Sequence, residues 1–410
     1  MDLFEDLASE LSLAWMQRGR DESVFPELAE RMLERFAPAS SVAPDDLFRW
    51  SLEASVLPRQ FDLRSSFGNF ALTVATRDDF HIDVLVWTDA TTAIHQHNFS
   101  GAFHVLQGSS LHTRWTFEET GRWSDRLKRG RLAVHDTEWL QTGSTRPILQ
   151  GDQLIHSLFH LDAPSITVVV RTPTSARSSP QMNYERSGLA YDPHFEIARV
   201  EKIRQLLCLL WTTDHPQRMA LSEAALRGVD AHSTVRIISS MRLQTALGTP
   251  ARLIDMVAAR DVELAALLRK TMDLHERTRL LVDLRRQTRS ARHRMLLALV
   301  LNLPDRTAID AVLRQIAPGE IAADWLWDTL RSMRETPRRE DGGNNILGLS
   351  LDQLSEQILE MLLRGRSVAE VTRAMTDDPE LVEDLRVVCS AFSASPLLGP
   401  LLNSVDFHPG

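Results

Sequence analysis

His95-Gln96-His97 stands at the end of an apolar, β-branched approach, and two histidines two residues apart on a strand project from the same face. His156 follows a Gly151-Asp152 turn about sixty residues later and begins a second apolar run. Neutral imidazoles are metal ligands, and three of them converging inside a rolled sheet would hold one divalent cation with coordination positions left open. Nine of the fourteen histidines fall between residues 81 and 194, a clustering that favours a built site over scattered core histidines. Such a site predicts that metal binding weakens as pH drops through about 6, because imidazolium cannot ligate.

Strands must carry these residues, and the pattern supplies them. Between about 68 and 172 the apolar period is two, over Phe70–Thr76, His81–Trp87, Ala102–Leu106, Ser110–Phe117, Arg131–Val134 and Ile166–Arg171. Gly108, Gly121, Gly130, Gly143 and Gly151 punctuate them, as expected of a sandwich or closed barrel. Residues 1–57 read as a helical cap, with Leu3, Phe4, Leu7, Leu11 and Trp15 at helical spacing and a further helix from Leu47 to Leu57 after Pro44-Asp45-Asp46. The expected domains are this cap, a metal-binding barrel over 58–173, a polar connector over 174–193 lying across the barrel surface, and an α-helical domain over 194–410. Capping boxes are expected at Ser350/Gln353 and Ser367/Glu370, an N-cap at Asp378 and a polar loop over Arg334–Asn345.

The composition, 43% apolar and 25% charged over 410 residues, is that of an ordinary globular protein. A net charge of −9 gives no general reason to expect nucleic acid or a membrane surface as a partner, and no run of eighteen apolar residues exists to span a bilayer. The acidic start, Asp2 to Asp6, does not resemble a secretory signal. The two cysteines, Cys208 and Cys389, read as buried free thiols, so a reducing cytoplasm is the expected location.

Two blocks can now be read together: His95-Gln96-His97, continuing to Leu106-Gln107-Gly108, and Gly151-Asp152-Gln153-Leu154-Ile155-His156. They resemble the two-motif pattern of the cupin superfamily over residues 70–172, about a quarter of the chain. The resemblance implies an α+β protein with a cupin double-stranded β-helix barrel, N-terminal helices and a large all-α C-terminal domain. Metal cupins usually place a glutamate ligand seven residues before the turn glycine, where this chain has Gly101. The implied ligand set is therefore His95, His97 and His156 without a carboxylate, as in cysteine dioxygenase-like enzymes. That family's early-strand arginine is absent from Phe70–Thr73, and its Ser-x-His-x-Tyr run is replaced by Val169-Val170-Arg171-Thr172-Pro173. The metal site carries over, and the thiol pocket does not.

The expected activity is that of a mononuclear non-heme Fe(II) dioxygenase, acting with O2 on a small anionic, amino-acid-like or thiol or carboxylate substrate; Zn, Ni, Mn, Co and Cu remain alternatives as the metal. Two other functions stay open: a redox-neutral isomerase or hydrolase, and a non-enzymatic ligand sensor whose helices bind a partner. Arg171 is the candidate anion clamp and His160, four residues beyond His156 on the same strand face, the candidate for outer-sphere proton transfer. His104 should face away from the metal and pack on helices, whereas His112 and His135 read as surface or inter-strand residues, and His81 is unassigned. The tryptophans Trp87, Trp115, Trp123 and Trp139 read as core. The run Arg277, Arg279, Arg285, Arg286, Arg289, Arg292 and Arg294 reads as a solvated helix face paired with neighbouring acids. The helical half shows no catalytic motif and is expected to form a homodimer, a lid or a protein-docking surface.

Overall fold

In the computed structural model, residues 2–65, 67–173, 180–244, 249–338, 345–347 and 351–402 are described. Eleven strands are found among them. They are β1 (Phe70–Thr76), β2 (His81–Trp87), β3 (Ile94–His97), β4 (Gly101–Gln107), β5 (Ser110–Ser124), β6 (Leu127–Leu140), β7 (Thr145–Ile148), β8 (Gly151–His160), β9 (Ser165–Arg171), β10 (Asn183–Tyr184) and β11 (Leu189–Tyr191). One antiparallel sheet runs β1-β2-β9-β4-β7; the other runs β10-β11-β6-β5-β8-β3 and closes on itself because β3 also pairs with β10. The protein is thus mixed α and β, with antiparallel sheets and many helices.

Alternation decides what each strand offers. On β2 and β9, Ile82, Val84, Val86, Ile166, Val168 and Val170 turn outward and pack with Phe4, Leu7, Leu11, Trp15, Phe25 and Leu33 of the N-terminal helices. Their neighbours Leu85, Trp87 and Val169 turn the other way, into a second cluster with Phe99, Phe103, Leu140 and Leu154. Both faces of the first sheet are therefore dry, which is why apolar residues occur on both faces of β2 and β9, consecutively at Val84–Trp87 and Val168–Val170. The cap helices are Asp2–Met16, Phe25–Phe36, Pro38–Ser41 and Pro44–Glu53; the last ends four residues before the expected Leu57.

The hairpin of β5 and β6 is longer than the sequence indicates, because its outer halves are half-exposed and carry charged pairs in place of apolar alternation. The expected connector is partly sheet: Asn183 pairs with His95, and Leu189 with Arg129, so β10 and β11 complete the second sheet. Backbone pairing, not apolar content, recruits these two short strands, which is why periodicity missed them.

C-terminal helices cover the outer face of the second sheet. Leu111, Phe159 and Leu161 join a core with Leu296, Leu299, Val300 and Leu326, and Leu127 and Leu189 join another with Trp211, Ile238 and Leu268. The capping box at Ser367/Glu370 and the Asp378 cap are present. Ser350 lies outside the described residues; the helix Gln353–Leu363 is capped by Asp352, which accepts from the Ser355 backbone N–H. The loop expected over Arg334–Asn345 falls partly on residues 339–344, which are also outside the described set, while Arg334 and Glu335 belong to the helix Ala322–Glu335. Cys208 and Cys389 are buried free thiols, and among the described residues no helix is long and apolar enough to cross a membrane.

Candidate metal centre

β3 and β8 lie side by side, with His95 opposite His156. A register irregularity between His95 and His97 lets both imidazoles and His156 converge between the sheets, all three buried. One ligand nitrogen from each lies within 4.8 Å of the other two. For His95 and His156, hydrogen bonds indicate which nitrogen this is, whereas His97 has a buried Nδ1 without a partner and an Nε2 facing His156. His95 Nδ1 contacts the Ala93 carbonyl at 2.9 Å, which makes Nδ1 the protonated atom and leaves Nε2 buried without a partner. His156 uses Nδ1 toward His112 at 2.9 Å and presents Nε2 to His97 Nε2 at 2.8 Å.

Burial pushes all three imidazoles below their ordinary pKa, His97 and His156 strongly so, with neighbouring positive or protonated groups adding in the same direction. They are neutral at physiological pH. Without a metal, these rings take up protons only below the ordinary imidazole range. A dry cluster of three neutral imidazoles, one with an orphaned Nε2 and two with nitrogens facing each other, fits a late first-row divalent cation.

Gly101 shows why no carboxylate completes the set. A Cβ at this position would lie 1.9 Å from the Val170 carbonyl oxygen on the adjacent strand, so no side chain fits there.

Behind His156 runs a hydrogen-bonded chain that sequence reasoning missed. His112 Nδ1 donates to Glu138 Oε1 at 2.9 Å, which leaves His112 Nε2 to accept from His156 Nδ1–H. Arg146 grips Glu138 through Nε and Nη2. Burial raises the Glu138 carboxyl, but hydrogen bonds from His112 and Arg146 outweigh it and hold the group at about 2. Of its two expected readings His112 is the inter-strand one and not the surface one: it is buried on β5 between Glu138 and His156. The signal lay in the hairpin, where the β5–β6 register sets His112 directly opposite Glu138; the contact to His156 depends on the long-range β5–β8 pairing.

Arg171 does reach the site. It lines the histidine cavity with Phe67, Leu85, Trp87, Phe99 and Phe103. Its Nη2 pairs with Asp83 at 2.9 Å, its Nε donates to His81 Nε2 at 2.9 Å, and it lies over the Phe99 ring. His81 therefore belongs to the Arg171 support. Burial raises the Asp83 carboxyl, and the adjacent His81 ring, the Arg171 charge and the Thr73 hydrogen bond bring it below its usual range.

His160 shares the inner face of β8 but stands outside the trio. It stacks on Trp87 at 4.8 Å, contacts Ser110 Oγ at 2.9 Å and is held neutral, at about 3, by burial and the Arg285 charge. His104 turns toward the cap, taking the Ala39 backbone N–H at 3.2 Å, and His135 is exposed beside Asp136, both as expected. Trp87 is a cavity wall, and Trp139 is partly exposed.

The cavity at the histidines measures about 40 Å³, room for roughly three waters. It shares Phe67, Trp87, Thr92 and His95 with an outer cavity of about 240 Å³ whose rim includes Gln181, Asn183 and His194.

No family model and no curated protein matches the chain. Solved structures that share part of it include cupin-family proteins. A cupin-2 domain protein from Shewanella frigidimarina is 12% identical over 32% of this chain and 95% of its own, with a TM-score of 0.19. The DMSP lyase from Ruegeria pomeroyi is 12% identical over 43% and 94%, with a TM-score of 0.24. Hydroquinone 1,2-dioxygenase from Sphingomonas sp. TTNP3 is 8% identical over 26% and 68%, with a TM-score of 0.21. Strand pairing and side-chain geometry, not these likenesses, define the site.

Proposed function

We propose that this chain is a mononuclear non-heme iron oxygenase of the cupin type that oxidises a small anionic substrate with dioxygen. The observation that carries this reading is the trio His95, His97 and His156, three neutral nitrogens with no carboxylate among them at the base of an apolar cavity. Ferrous iron held there would supply the redox and Lewis-acid chemistry that dioxygen requires.

The chain's own residues set the conditions. Leu85, Phe99, Phe103 and Val169 exclude water from the reacting volume. Charge balance selects the substrate. Arg171 is already matched by Asp83, and Arg146 by Glu138, so neither ion pair offsets a dication held by neutral imidazoles. The compensating anion comes from the substrate as a thiolate, carboxylate or enolate. Arg171 faces the cavity and orients that anion, while His160 backs the Trp87 wall from behind. Substrate enters through the outer cavity past Thr92, Asn183 and His194.

The test is oxygen uptake by protein reconstituted anaerobically with Fe(II), challenged with small thiols, carboxylates and enolisable acids. Uptake that needs both iron and His97 supports the proposal. Turnover with Zn, Ni or Mn and no oxygen uptake would assign the protein to redox-neutral metal catalysis, and tight ligand binding by metal-free protein would make it a sensor.

A further inference from the structure

Two arginines expected on a solvated helix face are among the most deeply buried side chains: Arg285 is 0% and Arg294 2% exposed. Arg285 lies in the last turn of the helix Val262–Gln287, and Arg294 in the first turn of Ala291–Asn302. Both reach out of the helical region into the barrel. Arg285 Nη1 donates to the Ala90 carbonyl at 2.8 Å and to Thr91 Oγ1 at 2.7 Å, and its guanidinium lies 4.6 Å from the Phe159 ring centre. Arg294 Nη2 pairs with Asp89 at 2.6 Å, and its Nη1 donates to the Leu161 carbonyl at 3.0 Å.

These contacts fall on the segment leading into β3 and on the residue just past the end of β8, the two strands that carry the histidine trio. The leading segment is itself laced to β8: Thr92 N donates to the Leu158 carbonyl at 2.9 Å, and Thr92 Oγ1 accepts from Leu158 N at 2.7 Å. Three residues after Ala90, the Ala93 carbonyl orients His95 through Nδ1. Asp89 holds a left-handed backbone with φ of 53°, a conformation disfavoured for a residue with a Cβ unless its side chain is engaged, as it is here by Arg294.

Stability alone does not account for Arg285. Arg285 Nε and Nη2 have no hydrogen-bond partner among the described residues, although both are buried. An apolar side chain would avoid that desolvation cost, so the guanidinium is better explained by the conformation it enforces.

We infer that Arg285 and Arg294 are positioning residues through which the helical C-terminal region sets the geometry of the metal centre, acting on the 89–93 segment and thereby on His95. The inference rests on the metal reading of the histidine trio. It gives the helical half a role in the site without contributing a ligand. Thr92 and Ala93 also wall the outer cavity, so the same contacts shape the substrate entrance.

The test uses the full chain loaded with Co(II), whose visible absorption reports ligand geometry without turnover. Arg285→Met and Arg294→Met should shift the ligand-field bands and weaken Co(II) binding roughly 10-fold, the scale for loss of groups that orient a ligand. Arg285→Lys, which keeps one donor toward the 90–91 segment, should recover part of the wild-type spectrum. Thr91→Val removes one of the two acceptors of Arg285 and Asp89→Asn removes the charge that pairs with Arg294, both with less burden on folding, and both should shift the bands in the same direction. Arg306→Met is the structural control, because Arg306 donates to the Leu363 and Leu401 carbonyls within the helical region; it should lower stability and leave the spectrum alone. Wild-type bands and affinity in both Thr91→Val and Asp89→Asn would overturn the inference while leaving the metal site standing. Failure of the wild-type chain to bind Co(II) would overturn both.

Discussion

Replacing His112 tests how far the proposed metal centre extends beyond its three histidines. The ring accepts from His156 Nδ1–H and passes its own Nδ1–H to Glu138, so it fixes the tautomer in which His156 Nε2 is free to ligate. His112→Phe keeps a flat ring of somewhat larger size, and Phe103, 5.9 Å away and perpendicular, offers an apolar neighbour to the new ring. What is lost is the acceptor for a buried N–H that ligation forces on His156. Groups that orient a metal-bound histidine are worth roughly 10- to 100-fold in metal affinity, or about 1.4 to 2.7 kcal/mol. Glu138→Gln keeps an acceptor and removes only a charge, and Glu138 is a quarter exposed, so solvent screens part of the effect; roughly 3- to 10-fold is expected. Arg146, left without its carboxylate, pushes in the same direction. Anaerobic competition of Fe(II) or Co(II) against a chromophoric chelator measures both variants. The reasoning is refuted if His112→Phe remains folded and binds within twofold of wild type, or if Glu138→Gln weakens binding more than His112→Phe.

Gly101→Glu, which restores the carboxylate of the usual cupin pattern, should not tighten metal binding; with a Cβ driven to 1.9 Å from the Val170 carbonyl it should cost at least about 3 kcal/mol in denaturant unfolding. Arg171→Met leaves the buried Asp83 carboxylate without its cation and should cost about 3 kcal/mol, most of which returns when Asp83→Asn is added; a double variant as unstable as the single would contradict this pairing. Metal-free protein should lose stability on acidification, because His160 titrates at about 3 when folded against 6.5 ordinarily, and His97 and His156 are depressed in the same sense. The unfolded chain takes up these protons first, so stability is full above about 6.5 and falls as pH drops toward the folded values. Urea midpoints between about pH 7.5 and 5, above the range where carboxylates titrate, isolate this effect, and a flat profile would contradict the buried neutral state.

Much of the site was legible because its information is local. An HxH pair on a strand and a glycine turn before a third histidine need only alternation, and alternation also aims Arg171 inward and His104 toward the cap. What stayed hidden depends on pairing between distant segments. His112 looked idle because its partner, His156, sits on β8, and no local pattern gives the β5–β8 register. Two short strands inside a polar connector stay hidden because Asn183 and Tyr184 are recruited by the edge of β3 and Leu189–Tyr191 by the edge of β6. The arginine run hides its buried members for a related reason: at helical spacing Arg279 and Arg286 do meet Glu276 and Asp283, but Arg285 meets the Ala90 carbonyl and Arg294 the Asp89 carboxylate, each about two hundred residues earlier.

Anaerobic metal titration with elemental analysis, run on the wild-type chain beside His95→Ala, His97→Ala, His156→Ala and the exposed-site control His135→Ala, bears most directly on the three-histidine centre. One divalent cation per chain is expected in wild type and His135→Ala, with stoichiometric binding lost in each of the other three. Equal metal content in wild type and His95→Ala would contradict it.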